Sequence, residues 1–214
     1  PPVVAEASAS AGIKPQNVYG MTENSSHQYT HPDDALTIWT TTCGRGGPAY
    51  EVRIFDTEDE NVELPAGQVG QIGGRGAALM LGYSDNQSAT AGSFNRHGWF
   101  LSGDLGSIDT QGNLSIDGRL KDLIIRGGHN IYPSRIEALA LRHAHIEKAA
   151  VFPVADERLG EKVCLAVIGA VSSAQALAHL AAQGLSKYDM PEYYLPMGDF
   201  PLTPSGKILK RELV

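Results

Sequence analysis

Three charged side chains are of types that could bind the ribose or the phosphates of a nucleotide. Asp104 lies in GWFLSGDLG, and such a carboxylate can accept hydrogen bonds from both hydroxyls of a ribose. Arg119 follows fifteen residues later, and its planar guanidinium suits ribose oxygens and phosphate. Lys207 lies in TPSGK, on a turn between Pro204 and Gly206. Taken singly, each residue has an ordinary structural explanation. Asp104 could lie in a turn, Arg119 could form a surface ion pair, and Lys207 could be a solvated surface lysine.

Two further motifs accompany these residues, in a fixed order along the chain. YGMTE occupies residues 19–23, and GRLKDLIIRGGHNIYPSRIE, at 118–137, predicts a glycine-punctuated strand, loop and helix. A Walker-type phosphate loop does not fit the lysine, because GxxxxGKS/T needs a glycine at 201 and a hydroxyl at 208. The chain has Pro201 and Ile208 at these positions.

Together the motifs resemble those of the adenylate-forming superfamily of acyl-CoA synthetases, peptide-synthetase adenylation domains and luciferases. The resemblance covers nearly the whole chain from about residue 17. The segment KDLIIRGGHNIYPSRIE is most similar to acyl-CoA synthetases, although His129 replaces the glutamate common after the paired glycines. The resemblance implies ATP or AMP, Mg²⁺ and coenzyme A as ligands, with a carboxylic acid as the substrate.

The resemblance also implies a role for each matching residue. Lys207 would be the catalytic lysine, Glu23 the Mg²⁺ ligand, and Lys121 the hinge about which a small domain swings. The implied nucleotide contacts are Tyr19, Gly20, Thr22, Asp104, Ile116 and Arg119. The implied pantetheine loop consists of Arg126, Gly127 and Gly128. For Ile116, an ordinary core position in a strand is an equally good interpretation.

The predicted fold class is α+β, in two parts. Residues 1–120 are expected to be the C-terminal end of a large AMP-binding domain, β-rich from about residue 35, with a small bent sheet or barrel. Residues 121–214 are expected to form a compact, mobile α+β domain. The charge also divides, since residues 1–121 carry 7 basic and 14 acidic side chains, whereas residues 122–214 carry 10 of each.

Local patterns predict several elements. Residues 1–12 resemble a small-residue helix, and Tyr50, Val52 and Ile54 alternate with Glu51, Arg53 and Phe55 as in a half-buried strand. Pro133 fits the first turn of a helix, which the spacing of apolar residues extends to His143. Strands are expected at 149–154 and 163–171. Ser172 or Ser173 would cap a helix that ends at Gly184.

Composition excludes several partners. Neither half carries the basic stripe that nucleic acid or an anionic membrane requires, and no apolar run approaches the roughly 20 residues of a membrane span. Cys43 and Cys164 are too far apart for a disulfide framework, which favours buried thiols and a cytoplasmic setting. His27 and His31 are placed in a polar loop after Glu23, where they could border an acyl pocket.

The sequence therefore predicts the C-terminal portion of an ATP-dependent acyl-CoA synthetase. The first residue is not methionine, and the family's phosphate loop and most of its acyl pocket are expected upstream. This chain alone is expected to be inactive without the upstream part of the same enzyme. Two alternatives stay open, a non-catalytic nucleotide- or CoA-binding module and an adenylation domain that passes the acyl group to a carrier protein. The oligomeric state is not predicted.

Overall fold

A computed structural model of the chain describes residue 8, residues 10–204 and residues 206–213. The chain divides into two compact units between Leu120 and Lys121. The helix predicted over residues 1–12 falls for the most part outside the described residues. In the described part of the chain, no helix has the length and apolar character needed to cross a membrane.

The first unit is built mainly from antiparallel strands. In its described part the elements are β1 Val18–Met21, β2 Ser25–Tyr29, α1 Leu36–Thr41, β3 Arg45–Gly46, β4 Tyr50–Phe55, β5 Gly70–Gly76, α2 Gln87–Ala91, β6 Phe100–Ile108 and β7 Leu114–Arg119. One sheet has the order β1-β2-β3 and the other the order β4-β5-β6-β7. No pairing joins β4 to β7 in the described part, so the predicted small sheet is open and the barrel alternative is wrong.

Strand β4 shows why the four-stranded sheet forms. Tyr50 and Ile54 are buried while Glu51 and Arg53 are exposed, as the alternation predicts. Phe55 was expected on the solvent side and is instead buried, because its ring packs against Trp99. Both faces of the strand are therefore partly covered.

Glycines in β5 make room for these aromatic rings. A Cβ added at Gly73 would collide with the ring of Phe55, and one added at Gly74 would collide with Tyr50. Gly73 pairs with Leu101 and Gly74 with Phe100 on the neighbouring strand β6. The density of glycine in this segment therefore reflects close packing of rings against the sheet.

Two helices lie in a region that the sequence predicts to be strands and turns. In α1, the hydroxyls of Thr40 and Thr41 donate to the main-chain carbonyl oxygens of Leu36 and Thr37, one turn earlier. Helix α2 begins at a recognisable cap, since the side chain of Asn86 accepts a hydrogen bond from the amide of Ala89. The β-branched residues of α1 carried no helical signal in the sequence.

The second unit is an α+β module. A 3₁₀ turn at Leu120–Asp122 precedes its elements, which are β8 Ile124–Arg126, β9 His129–Ile131, α3 Pro133–Ala140, β10 Ile146–Asp156, β11 Gly160–Gly169, α4 Ser173–Ala182 and β12 Tyr193–Pro196, then a 3₁₀ turn at Lys210–Glu212. The sheet order is β10-β11-β8-β9, and β12 pairs in parallel with β11. Both predicted long strands are confirmed. Strand β10 is longer than predicted at both ends, and β11 begins three residues earlier, because the two strands pair as one continuous hairpin.

The helices of this unit begin where the sequence predicts. Pro133 stands in the first turn of α3, and Ser172 caps α4 through a capping box with Gln175. Gly184 follows α4 with a φ of 80°, a conformation that favours glycine after a helix. The extension of α3 to His143 is wrong, because the helix ends at Ala140 and a tight turn follows.

Both cysteines are free thiols. Cys164 is buried and Cys43 is half-buried, and burial raises the pKa of each thiol. At neutral pH both therefore stay protonated, as inert packing residues do.

Candidate active site

A tyrosine, an aspartate and an arginine meet at one end of the four-stranded sheet. Asp104 on β6 and Arg119 on β7 are register partners, and the Arg119 Nε atom lies 3.4 Å from Asp104 Oδ1. The Tyr19 hydroxyl donates to Asp104 Oδ2 across 2.9 Å. The Ser102 hydroxyl accepts from the Asp104 amide at 3.1 Å. This group, Tyr19–Asp104–Arg119, is called the carboxylate triad below.

The electrostatics of the triad fix its protonation. Burial and the negative charge of Asp104 raise the pKa of Tyr19 far above its ordinary value. A hydrogen bond with Ser102 opposes part of this rise. The phenol therefore stays a donor and holds one carboxylate oxygen. The Arg119 side chain is 48% exposed while that of Asp104 is 14% exposed, so the guanidinium faces solvent and remains available to an anionic ligand.

The glycine of YGMTE has a packing role. A Cβ at Gly20 would collide with the Ser25 carbonyl oxygen, where β1 and β2 shift register. Asn24 closes the turn, since its side-chain oxygen accepts from the Met21 amide at 3.1 Å. Thr22 is exposed on this turn. The Tyr19 ring is largely buried, so its hydroxyl, rather than the face of the ring, contacts Asp104.

Glu23 is held by a residue that the sequence analysis missed. The Tyr83 hydroxyl donates to Glu23 Oε1 across 3.1 Å, and the Met80 amide donates to the Glu23 carbonyl oxygen at 2.7 Å. Burial and the Glu23 carboxylate raise the pKa of Tyr83. No local sequence pattern predicts a contact between residues that are 60 positions apart in the chain. No cluster of three or more His, Cys, Asp or Glu side chains able to hold a metal occurs among the described residues, so Glu23 offers a single hard oxygen ligand.

Ile116 and Lys121 follow the triad along the chain. Ile116 is 40% exposed on β7, which disfavours the core interpretation and leaves its side chain available to a ligand. Lys121 lies in the 3₁₀ turn at the boundary of the two units.

On the second unit, Gly127 and Gly128 form the turn between β8 and β9. Both have positive φ angles, 58° and 84°, and nothing lies within 4 Å of a Cβ added at Gly128. The turn therefore leaves an open path beside the backbone. The preceding Arg126 is engaged elsewhere, because its guanidinium binds the Glu192 carboxylate and the Tyr188 carbonyl oxygen.

His129 completes this hairpin with an unexpected partner. Its Nε2 atom lies 2.8 Å from Asp189 Oδ1, on the same loop that binds Arg126. Arg126 and His129 therefore both hold the hairpin to residues 188–192 through polar contacts.

Lys207 lies on a short C-terminal hairpin of the second unit. Leu202 bridges Ile208, the Thr203 amide donates to the Lys207 carbonyl oxygen at 2.7 Å, and the Lys207 amide donates to the Thr203 hydroxyl at 3.0 Å. The Lys207 side chain is exposed. Just beyond it, Lys210 Nζ lies 2.7 Å from Glu137 Oε1 on α3.

The prediction that His27 lies in a polar loop is wrong. His27 is on β2 and only 5% exposed, with its ring stacked on Tyr50 at 4.2 Å and edge-on to Tyr19 at 5.5 Å. Neither ring nitrogen has a hydrogen-bond partner among the described residues. Burial lowers the pKa of His27 to about 4, so the ring is neutral at physiological pH. His31 is exposed.

A cavity of about 330 Å³ opens beside His27. Uncharged residues line it, among them Ser26, His27, Tyr29, Pro48 and Tyr50. It lies within the first unit.

The chain is similar in sequence and fold to known proteins. The AMP-binding enzyme family matches residues 1–84, and the AMP-binding enzyme C-terminal domain matches residues 135–207. A medium-chain fatty-acid–CoA ligase of Escherichia coli (strain K12) is 36% identical over 98% of this chain and 38% of its own length. ATP-bound MatB from Rhodopseudomonas palustris is 33% identical with a TM-score of 0.88, over 97% of this chain and 41% of MatB.

A third relative carries the reaction intermediate. The o-succinylbenzoate CoA synthetase of Bacillus subtilis, in complex with its acyl-adenylate, is 28% identical with a TM-score of 0.89, over 100% of this chain and 43% of that enzyme. The chain therefore spans about two fifths of the length of these relatives. The family matches, these likenesses and the motifs that carry them show that the chain belongs to the adenylate-forming AMP-binding enzymes.

Proposed function

We propose that this chain is the C-terminal portion of an ATP-dependent acyl-CoA synthetase, which activates a carboxylic acid as acyl-AMP and transfers the acyl group to CoA. The observation that carries the proposal is the carboxylate triad. Asp104 presents a carboxylate oriented by Tyr19, and Arg119 adds an exposed guanidinium on the adjacent strand. A ribose with its phosphate needs this combination of acceptor and cation.

The residues divide between the parts of the reaction. In the first step a carboxylate oxygen of the acid attacks the α-phosphorus of ATP, the bond to the β-phosphate breaks, and pyrophosphate leaves. Lys207 would place its ammonium beside the oxygens that gain negative charge. Thr22 would bind phosphate or carboxylate, and Ile116 would lie against the adenine. These assignments rest on the family motif and on the exposure of the three side chains.

The environment of Glu23 fits Mg²⁺. Glu23 supplies a carboxylate oxygen, the type of ligand that Mg²⁺ prefers, and Tyr83 fixes its orientation. When bound, Mg²⁺ would supply positive charge that neutralises the phosphates of ATP.

In the second step the CoA sulfur attacks the acyl carbonyl carbon, the carbon–oxygen bond to AMP breaks, and AMP leaves. The Gly127–Gly128 turn, with its open backbone, would admit the thin pantetheine arm, with Arg126 anchoring the turn. Residues 1–120 would be the end of the large domain and residues 121–214 the small mobile domain, which rotates about Lys121 between the two steps. The division of the chain between Leu120 and Lys121 supports this proposal.

The upstream part of the enzyme and the acid, ATP and CoA are the proposed partners. A cytoplasmic location is also proposed, on the basis of two free thiols.

The test is acid-dependent exchange of pyrophosphate into ATP by the full-length protein, with thioester formation measured alongside, across a panel of carboxylic acids. Exchange with at least one acid, and thioester only when CoA is added, is expected. Asp104→Ala should weaken AMP binding about 10- to 100-fold, the range expected when a charged hydrogen-bonding partner is lost. AMP binding without exchange for any acid would favour the non-catalytic module, and thioester formed only on a carrier protein would favour the carrier-linked alternative.

A further inference from the structure

We infer that His129, held by Asp189, is the general base that removes the proton of the CoA thiol in the second step. The inference rests on the proposed function, because it assigns a residue to the transfer of the acyl group to CoA. Three features of the second unit support it: the place of His129 beside an open glycine turn, the orientation of its ring by Asp189, and the contacts by which Arg126 fixes Asp189.

The second step needs an acceptor for a proton. A thiolate is a far better nucleophile than a thiol, so the S–H bond of CoA must break as the sulfur bonds to the acyl carbonyl carbon. In this step the proton passes from the sulfur to His129 Nδ1, and the carbon–oxygen bond to AMP breaks. The imidazolium then returns the proton to solvent. The products are thioester, AMP and one proton, and no further reactant is required.

His129 borders the path proposed for the pantetheine arm. It directly follows Gly128, where φ is 84° and nothing lies within 4 Å of an added Cβ. The His129 side chain is 52% exposed, so its ring is accessible to a ligand that passes this turn. A base on the residue next to the open turn can therefore reach the thiol that the arm carries.

Asp189 determines which nitrogen of the ring can act. Its Oδ1 atom lies 2.8 Å from His129 Nε2, and the Asp189 side chain is only 14% exposed. A carboxylate accepts hydrogen bonds and cannot donate them, so Nε2 carries the proton of the neutral ring and Nδ1 carries the lone pair. The negative charge of Asp189 also stabilises the imidazolium that forms once Nδ1 has taken a proton. The two side chains therefore form an oriented base.

Arg126 in turn fixes Asp189. Arg126 and His129 are register partners in the β8–β9 hairpin, so their side chains lie on the same face. The Arg126 guanidinium donates to the carbonyl oxygens of Tyr188 and Met190, the two residues that flank Asp189. The Arg126 side chain is only 13% exposed, so water competes little for these bonds. The backbone of Asp189 is therefore held on both sides, which keeps the carboxylate in place for the ring.

The test measures the second step alone, as a single turnover of supplied acyl-adenylate with CoA by the full-length protein. The adenylate is that of the acid that supports the fastest exchange. His129→Gln keeps a hydrogen-bond donor for Asp189 but removes the base. Its rate at saturating CoA should fall about 100-fold or more, the usual contribution of a general base, while pyrophosphate exchange stays within about threefold of wild type. His145→Gln, at an exposed histidine of the same unit, is the matched control and should leave both rates unchanged.

Two measurements separate a base from a residue that only shapes the loop. Imidazole added to His129→Ala should restore the rate at least about tenfold, whereas pyrazole, a ring of the same size and a much weaker base, should not. Asp189→Asn should slow the second step at least about tenfold when His129 is present. It should have little effect in the His129→Gln background, because Asp189 acts through the ring.

The outcomes distinguish this inference from the proposed function. A His129→Gln rate equal to that of wild type, a change confined to KM for CoA, or no rescue by imidazole would overturn the assignment of the base while the proposed function stands. Equal effects of Asp189→Asn with and without His129 would also overturn it. If wild type forms no thioester from any acid of the panel, both the proposed function and the assignment of the base are wrong.

Discussion

Removal of the ion pair between Glu137 and Lys210 should loosen the hairpin that carries Lys207. Glu137 Oε1 lies 2.7 Å from Lys210 Nζ and also accepts the Val151 amide at 2.7 Å. The two charged side chains are only 24% and 20% exposed, so solvent screens them less than a surface pair. Lys207 precedes Lys210 by three residues, so the pair fixes the end of the chain close to the proposed catalytic lysine.

The expected magnitudes differ between the two partners. Lys210→Met removes one partly exposed charge and should lower the free energy of unfolding by about 1 kcal/mol. Glu137→Leu also leaves the amide of buried Val151 unpaired, and should cost about 2–3 kcal/mol. Because Lys207 serves only the first half-reaction in the proposed mechanism, both variants should slow adenylation, by about tenfold for a misplaced group, while sparing thioester formation from supplied acyl-adenylate.

Urea unfolding and separate assays of the two half-reactions measure these effects. Lys148→Met is the matched control, because Lys148 faces Asp199 at 3.9 Å in a pair that is 49% and 82% exposed, and its loss should be almost neutral. If Glu137→Leu were no less stable than Lys148→Met, or if both half-reactions fell equally, the ion pair would not anchor the hairpin that carries Lys207.

Two further predictions concern the loop and the buried histidine. Gly128→Leu should impair thioester formation and spare adenylation, because the leucine side chain would enter the open path beside the turn. Gly184→Leu, at a similarly open glycine of positive φ, controls for backbone strain. Equal loss of both half-reactions in Gly128→Leu would count against the role of the loop. Burial holds the pKa of His27 at about 4 in the folded state, below the usual value of 6.5, so its contribution to stability is complete above pH 6.5 and is lost as pH falls toward 4. The free energy of unfolding should therefore decrease by about 3 kcal/mol more over this range in wild type than in His27→Gln, as denaturant titrations can measure, and equal pH profiles would contradict this assignment.

The sequence predicts the local parts of this fold better than its long-range contacts. The caps of α3 and α4 follow from Pro133, Ser172 and Gly184, because each acts within a few residues of its own position. The threonine-rich helix α1 was missed, because its β-branched residues carry little helical signal and the burial of Trp39, which stabilises the helix, depends on tertiary packing.

The same distinction applies to the site. Asp104 and Arg119 lie on consecutive strands, so a motif can reveal their pairing, although their roles as nucleotide ligands remain proposals. Tyr83 beside Glu23 and Asp189 beside His129 are each joined across about sixty residues, where no local pattern operates. The buried state of His27 could not be predicted either, because it depends on Tyr50 closing over it from another sheet.

Lys207→Ala in the full-length protein tests whether Lys207 serves adenylation in an acyl-CoA synthetase. Acid-dependent pyrophosphate exchange and thioester formation from supplied acyl-adenylate would be measured side by side. We expect exchange to fall by at least about 100-fold, as for loss of a transition-state charge contact, while thioester formation stays within about threefold of wild type. Undiminished exchange in Lys207→Ala would show that this lysine does not serve adenylation.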